Sequence, residues 1–165
     1  MQIRLECPED ADTIRSLTTA AFKDMPHSSQ TEAAIVDALR KAGALTVSLV
    51  ANMDGEIVGH VAFSPVKING TAKGWYGLGP VSVWPNQQRK GIGQALIGDG
   101  LDRLRRLNAQ GCVVLGDPAY YSRFGFMSDP ELRYGDVPPE YFQRLVFTAD
   151  APKGEVAFHA GFDAT

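Results

Sequence analysis

The sequence predicts a single α+β domain over residues 1–165, and three observations carry that prediction. Strand-like and helix-like periodicities follow one another in the order β-α-α-β-β-β-α-β-α-β-β. An Asp54-Gly55 dipeptide sits between two apolar runs, where it favours the positive backbone angles of a tight hairpin. The segment Val83-Trp84-Pro85-Asn86-Gln87-Gln88-Arg89-Lys90-Gly91-Ile92-Gly93 ends an apolar strand in a loop that opens directly into a helix. A chain of 165 residues with 44% hydrophobic content can bury one core without staples.

Taken in order, Ile3 to Glu6 reads as the first strand, and Pro8-Glu9-Asp10 caps a helix through about Phe22 whose apolar side is Ile14, Leu17, Ala20 and Ala21. Met25-Pro26-His27-Ser28-Ser29 breaks it. A second helix from Thr31 to Lys41 puts Ile35, Leu39 and Ala42 on one face, and Gly43 stops it. Thr46 to Met53 and Glu56 to Val66 make the hairpin. After Asn69-Gly70, a strand runs from Trp75 to Val83. The helix beginning near Gly91 carries Ile97, Leu101, Leu104 and Leu107 at three- and four-residue spacing, with Asp102, Arg103, Arg105 and Arg106 turned mostly away. Gly111 is expected to end it. Cys112 to Leu115 forms a short buried strand, Pro118 starts a helical turn bearing Tyr120 and Tyr121, and the runs Leu145 to Thr148 and Glu155 to His159 suggest a terminal hairpin.

Composition narrows the function. A net charge of −3 with no long Lys/Arg run argues against a nucleic-acid surface. Cys7 and Cys112 have neither a metal spacing nor a disulfide framework, so both read as buried free thiols and no metal is expected. The N-terminus carries Arg4, Glu6, Glu9 and Asp10 and lacks an apolar core, and no apolar run approaches membrane-spanning length. The expected address is the cytoplasm, away from membranes.

The loop before the third helix is where chemistry first shows. The first turn of a helix has unpaired backbone N–H groups and the positive end of the dipole, so it seats an anion. Gly91 and Gly93 let a bulky group approach the backbone, and Arg89 and Lys90 add positive charge. Solvated loop charges are the bland alternative. A Walker loop would need Lys and Ser or Thr after its last glycine, where Gln94 and Ala95 stand. A dinucleotide fingerprint would need a third glycine.

What the loop does match is the pattern Gln/Arg-x-x-Gly-x-Gly/Ala after a Val-x-Pro strand end, filled by Gln88, Gly91 and Gly93. A second block, Gly116-Asp117-Pro118-Ala119-Tyr120-Tyr121-Ser122-Arg123-Phe124-Gly125-Phe126, fits an aromatic-Tyr-x-x-x-Gly-Phe segment, and Gly59-His60-Val61-Ala62-Phe63-Ser64-Pro65-Val66 a third. With these three blocks the chain resembles the GNAT superfamily of N-acetyltransferases, and within it the YhbS-like branch, over roughly residues 1–130. The resemblance implies a mixed, mostly antiparallel sheet of about seven strands flanked by about four helices, with a splayed strand pair holding acyl-CoA. It implies transfer of an acetyl group from acetyl-CoA, as cosubstrate, to a primary amine on a small molecule or peptide, by direct attack on the thioester.

The resemblance also assigns residues. The pyrophosphate would rest on Gln88, Arg89, Lys90, Gly91, Ile92, Gly93 and Gln94, and the pantetheine arm would pair with main chain of Val81, Ser82 and Val83. The Leu78-Gly79-Pro80 stretch supplies the irregularity such a strand needs. Tyr121 matches the position whose phenol protonates the departing thiolate, though Tyr120, Tyr121, Phe124 and Phe126 also read as core aromatics. Some members carry a Glu base on the strand before the loop, and Trp75 to Val83 contains no carboxylate. His60 is the candidate base, acting directly or through water, against a hydrogen-bonded core histidine. Asp117 reads as a cap.

The resembling fold would line the acceptor side with Phe22 to Thr31 and the loop between the third and fourth strands; neither has a dense acidic cluster, although Asp24 and Glu32 are available. Trp75, Tyr76, Tyr134, Tyr141 and Phe142 are either pocket walls or packing. The missing strand carboxylate leaves a non-catalytic acyl-CoA-binding sensor or interaction domain as the alternative. Terminal edge strands offer a route to a homodimer.

Overall fold

A computed structural model describes residues 1–148 and 150–165. Its spine is a run of neighbouring strands in the order β1-β2-β3-β4-β5-β8-β6. These are β1 (Gln2–Leu5), β2 (Val47–Met53), β3 (Glu56–Ile68), β4 (Thr71–Val83), β5 (Gly111–Leu115), β6 (Met127–Ser128) and β8 (Phe142–Val146). A short β7 (Leu132–Arg133) pairs with β9 (Gly154–Ala157), which also pairs with β3. Most ladders are antiparallel, while β4 runs parallel to β5 and β7 parallel to β9. The helices are α1 (Ala11–Phe22), α2 (Glu32–Lys41), α3 (Ile92–Arg106) and α4 (Pro118–Tyr121). The mixed α+β architecture with four α-helices is the one expected.

Alternation along the strands sends two sets of side chains to opposite faces. One face meets α3: Leu49, Val61, Phe63, Leu78, Cys112 and Val114 pack with Ile97, Leu101 and Leu104 in the largest buried cluster. The helix comes close because Gly100 lies directly on the Phe63 ring, where a Cβ would collide. The other face is divided. Ile14 of α1, Val36 of α2 and Val50 form one cluster, and Val66, Trp75, Val113, Phe142 and Val156 form another beneath the C-terminal segment.

Several boundaries differ from the sequence reading. The strands β3 and β4 are longer, meeting at Asn69-Gly70, because both residues adopt positive φ and close the hairpin there. The helix α3 stops at Arg106, where Asn108 takes φ 62°, and Gly111 instead begins β5 packed under the Trp75 ring. The terminal hairpin does not form: β8 pairs with β5 and β6, and β9 with β3 and β7. Phe142 of β8 and Val156 of β9 still share one buried cluster, but by side-chain packing and not as a ladder. Cys112 is buried, but Cys7 is exposed before α1.

Candidate active site

The parallel ladder between β4 and β5 has three rungs, Trp75 to Gly111, Tyr76 to Cys112 and Gly77 to Val113, and then stops. From Leu78 onward β4 is paired on its β3 side alone among the described residues. Opposite this stretch the register shifts, with Gly79 and Pro80 facing the single residue Ala62, so the strand bulges where Gly79 takes φ 128°. A gap therefore opens between the two strands, and the β5-facing edge of Val81, Ser82 and Val83 has no ladder partner among the described residues. The side chains of Val81 and Val83 pack toward α3, whereas Ser82 is 1% exposed and its Oγ lies 3.4 Å from Thr18 Oγ1 of α1.

At the far end of β4 a cavity of about 450 Å³ is lined by Val83, Gln87, Gln88, Arg89, Gly91, Ile92, Gly93, Gln94, Tyr120 and Arg123. Gly91 is the N-cap of α3 at φ 82°, a left-handed conformation that a side chain would strain. Arg89 also has positive φ, at 65°. Gly93 is different: a Cβ there would meet only ordinary contacts, the nearest being Tyr120 Oη at 3.7 Å. Gln88 Nε2 donates to Val83 O at 3.1 Å and ties the loop to the strand. Lys90 Nζ donates to Gln87 Oε1 at 3.1 Å and is not among the lining residues, so Lys90 stands beside the cavity and Arg89 within it.

Sequence reasoning missed Arg123. Its Nε donates to Tyr120 O at 2.8 Å, its Nη1 to Gln94 Oε1 at 3.1 Å, and its guanidinium stacks 4.4 Å from the Tyr120 ring centre. The cavity therefore has two cations, Arg89 and Arg123, and no carboxylate in its wall. The signal was present, since positions 120 and 123 are three apart on a helical turn and share a face. A wider groove of about 860 Å³ beyond Gln87 has Asp10, Glu56 and Arg4 in its walls, and Arg4 is already paired with Asp10 at 2.7 Å.

The helix α4 follows the end of β5. Asp117 caps it through Ala119 N at 2.9 Å, the role expected of it. Tyr121 turns back over Gly116, where a Cβ would come within 2.5 Å of the ring, and meets Phe126 edge-on. Burial pushes its phenol up to about 12, so it holds its proton at neutral pH. Its hydroxyl makes no hydrogen bond among the described residues.

A splayed strand pair, an anion seat at a helix N-terminus and a tyrosine on the next helix can be set beside known proteins. The sequence model of the Acetyltransferase (GNAT) family matches residues 11–126. The chain belongs to the GNAT family. A GNAT family acetyltransferase from Brucella melitensis, solved in complex with acetyl-CoA, is 55% identical, with a TM-score of 0.89 covering 98% of this chain and 97% of that one. YhbS from Escherichia coli, a GNAT family N-acetyltransferase solved in complex with CoA, superposes with a TM-score of 0.90 at 36% identity, covering 98% and 91%. By sequence, the uncharacterized N-acetyltransferase YhbS of Escherichia coli (strain K12) is 42% identical over 127 residues, 76% of this chain and 73% of that protein.

In this GNAT chain His60 lies on the opposite face of the sheet from α3, wholly buried on β3. Its Nε2 is 2.8 Å from Ser48 Oγ, and its Nδ1 has no partner among the described residues. Burial, the largest influence, holds its pKa below the ordinary 6.5, against the opposing pull of Glu6. No carboxylate of β4 stands nearby, as expected; the acidic group comes instead from Glu6, after β1. The expected acceptor segment between α1 and α2 is braced by Gln30 Nε2, which donates to Phe22 O at 2.7 Å, and by Ser28, whose hydroxyl engages Glu32. Trp75 and Phe142 are core residues, and Tyr134 stacks edge-on to Phe158. Phe158 in turn covers Gly77, the last rung before the gap.

Proposed function

We propose that this acetyltransferase moves an acetyl group from acetyl-CoA to a primary amine by direct attack on the thioester. The observation that carries the reading is the continuity between the gap beyond Gly77 and the cation-lined seat at Gly91 to Gly93. It suits one elongated ligand with an anionic end and an arm that hydrogen-bonds like a strand. Acetyl-CoA and CoA in the Brucella melitensis and Escherichia coli relatives support it.

The pyrophosphate would take the free N–H groups of Ile92, Gly93 and Gln94, with Gln88, Arg89 and Lys90 around it and Arg123 closing from α4. The arm would add to the free edge of Val81 to Val83. The amine nitrogen attacks the thioester carbon, the carbon–sulfur bond breaks with its pair on sulfur, and Tyr121 protonates the thiolate. His60 receives the proton that the amine gives up; because the ring is enclosed, a water carries it. The test is thiol release from acetyl-CoA against a panel of alkylamines, aralkylamines, polyamines and peptide N-termini. Tight acetyl-CoA binding with no release for any amine would overturn transfer in favour of a binding role.

A further inference from the structure

The His60 ring ends a chain of polar contacts that runs from β3 through β2 and the residue after β1 to α2 and reaches the surface. Arg40 of α2 donates from Nε to Glu6 Oε2 at 2.8 Å and from Nη2 to Oε1 at 3.1 Å. Ser48 Oγ makes a very short hydrogen bond to the same Glu6 Oε1, and His60 Nε2 lies next to Ser48 on its other side. Glu6, Arg40 and Ser48 line a surface cavity of about 370 Å³.

This pattern dictates where the protons are. A carboxylate gripped by Arg40 is ionised and only accepts. The single Ser48 proton must therefore point at Glu6, which leaves Ser48 Oγ an acceptor toward the ring. Nε2 then carries the imidazole proton, and Nδ1 is a bare lone pair, buried and unpartnered. The order also excludes a serine nucleophile, since the carboxylate sits on the serine side of the ring rather than behind it.

We propose that Glu6 and Ser48 are positioning residues for acetyl transfer, fixing His60 as the Nε2–H tautomer so that Nδ1 accepts the amine's proton. The inference rests on the reading of His60 as proton acceptor. As the new C–N bond forms, an N–H bond of the amine breaks, its proton passes through the bridging water, and Nδ1–H forms. The imidazolium faces Glu6, whose Oε1 is 3.7 Å from Nε2, and that carboxylate stabilises the charge without taking the proton. The ring returns its proton through solvent to the Tyr121 phenolate, so acetyl-CoA and amine give amide and thiol. Other charged groups act on the ring as well: Arg40 from α2 opposes its protonation and Asp10 ahead of α1 favours it.

The test is long-range ¹H–¹⁵N NMR on histidine-labelled protein, which reads the tautomer of each of the three histidines. The wild-type His60 ring is expected to be Nε2–H. In Glu6→Gln, Arg40 keeps the amide oxygen, so the NH₂ faces Ser48, the Ser48 proton turns to Nε2, and the ring flips to Nδ1–H. With the lone pair moved, kcat for the fastest amine of the panel falls roughly 100-fold while KM for acetyl-CoA holds. A wild-type ring found as Nδ1–H overturns the proposal without needing any variant. An unflipped ring with unchanged kcat in a folded Glu6→Gln protein overturns it as well. If His60→Gln keeps full kcat while the wild-type tautomer is as expected, the base reading itself has failed, and the positioning roles fail with it.

Discussion

The coenzyme end and the buried polar face of this acetyltransferase are built in opposite ways. From Val83 to Gln94 the chain supplies strand end, loop, glycines and helix N-terminus in one continuous stretch, and its working groups are main-chain donors at the surface. Across the sheet, Glu6 after β1, Arg40 of α2, Ser48 of β2 and His60 of β3 come from four separate stretches of chain and link the surface to the interior. A site made of backbone tolerates much change in its neighbours but not an added charge. A site made of side chains in series fails at any link.

The strongest way to break the coenzyme end is Gly93→Asp. A Cβ fits there and an acid suits the first turn of a helix, so the melting temperature should hold. A carboxylate about 4 Å from a phosphate at an effective dielectric near 20 costs about 4 kcal/mol. Acetyl-CoA affinity by calorimetry should drop by roughly 1000-fold. Gly91→Glu is a poorer probe, because φ 82° would strain the fold as well. Undiminished affinity in Gly93→Asp would show that phosphate is not seated there.

Tyr121→Phe comes next. It keeps the ring over Gly116 and removes only the hydroxyl, the proton donor, so kcat should fall about 100-fold with coenzyme affinity intact. Arg123→Ala removes one charged contact of about 1.5 kcal/mol, raising KM for acetyl-CoA about tenfold. Acetyl thioesters that lack the nucleotide should be turned over at the wild-type rate by that variant. Equal losses on both substrates would make Arg123 a structural residue.

The smallest effect belongs to the buried face and is read in stability. The folded-state pKa of His60 is below 6.5, so its contribution is complete above pH 6.5 and is lost as the pH falls from there toward the folded value. Glu6 acts in the same direction below its ordinary 4.5: desolvation pushes its carboxyl up, but the hydrogen bonds from Arg40 and Ser48 and the nearby His60 ring outweigh it and hold the carboxyl well down. Melting temperatures should decline between pH 7 and 5, and His60→Gln should flatten that decline. An unaltered slope would remove His60 from the titration.

What the sequence revealed follows the same division. The Asp54-Gly55 turn, the α3 stripe and the glycine loop were legible because their information is local: adjacent residues set a dihedral, a face or a helix end. The Gly79-Pro80 irregularity was legible for the same reason. The link from Glu6 to His60 was not, because it depends on strand register, which pairs residues dozens of positions apart. The C-terminal strands misled for a related reason. Nearness in sequence suggested that β8 and β9 pair, whereas β8 joins β5 and β6, β9 joins β3 and β7, and Phe142, Val156 and Phe158 meet only as side chains in one cluster. Arg123 lay between the two, local in spacing but given meaning only by where α4 lands.

The three-rung ladder of Trp75, Tyr76 and Gly77 against Gly111, Cys112 and Val113 has a mechanical side. It is the spine of a book whose two leaves are β1 to β4 and β5, β8 and β6, with Phe158 pressed against the binding at Gly77. An arm laid there, as proposed for acetyl-CoA, would take the place of the absent rungs and stiffen the protein. Amide hydrogens along Val81 to Val83 should then exchange more slowly when acetyl-CoA is added, and an unchanged exchange rate would place the arm elsewhere.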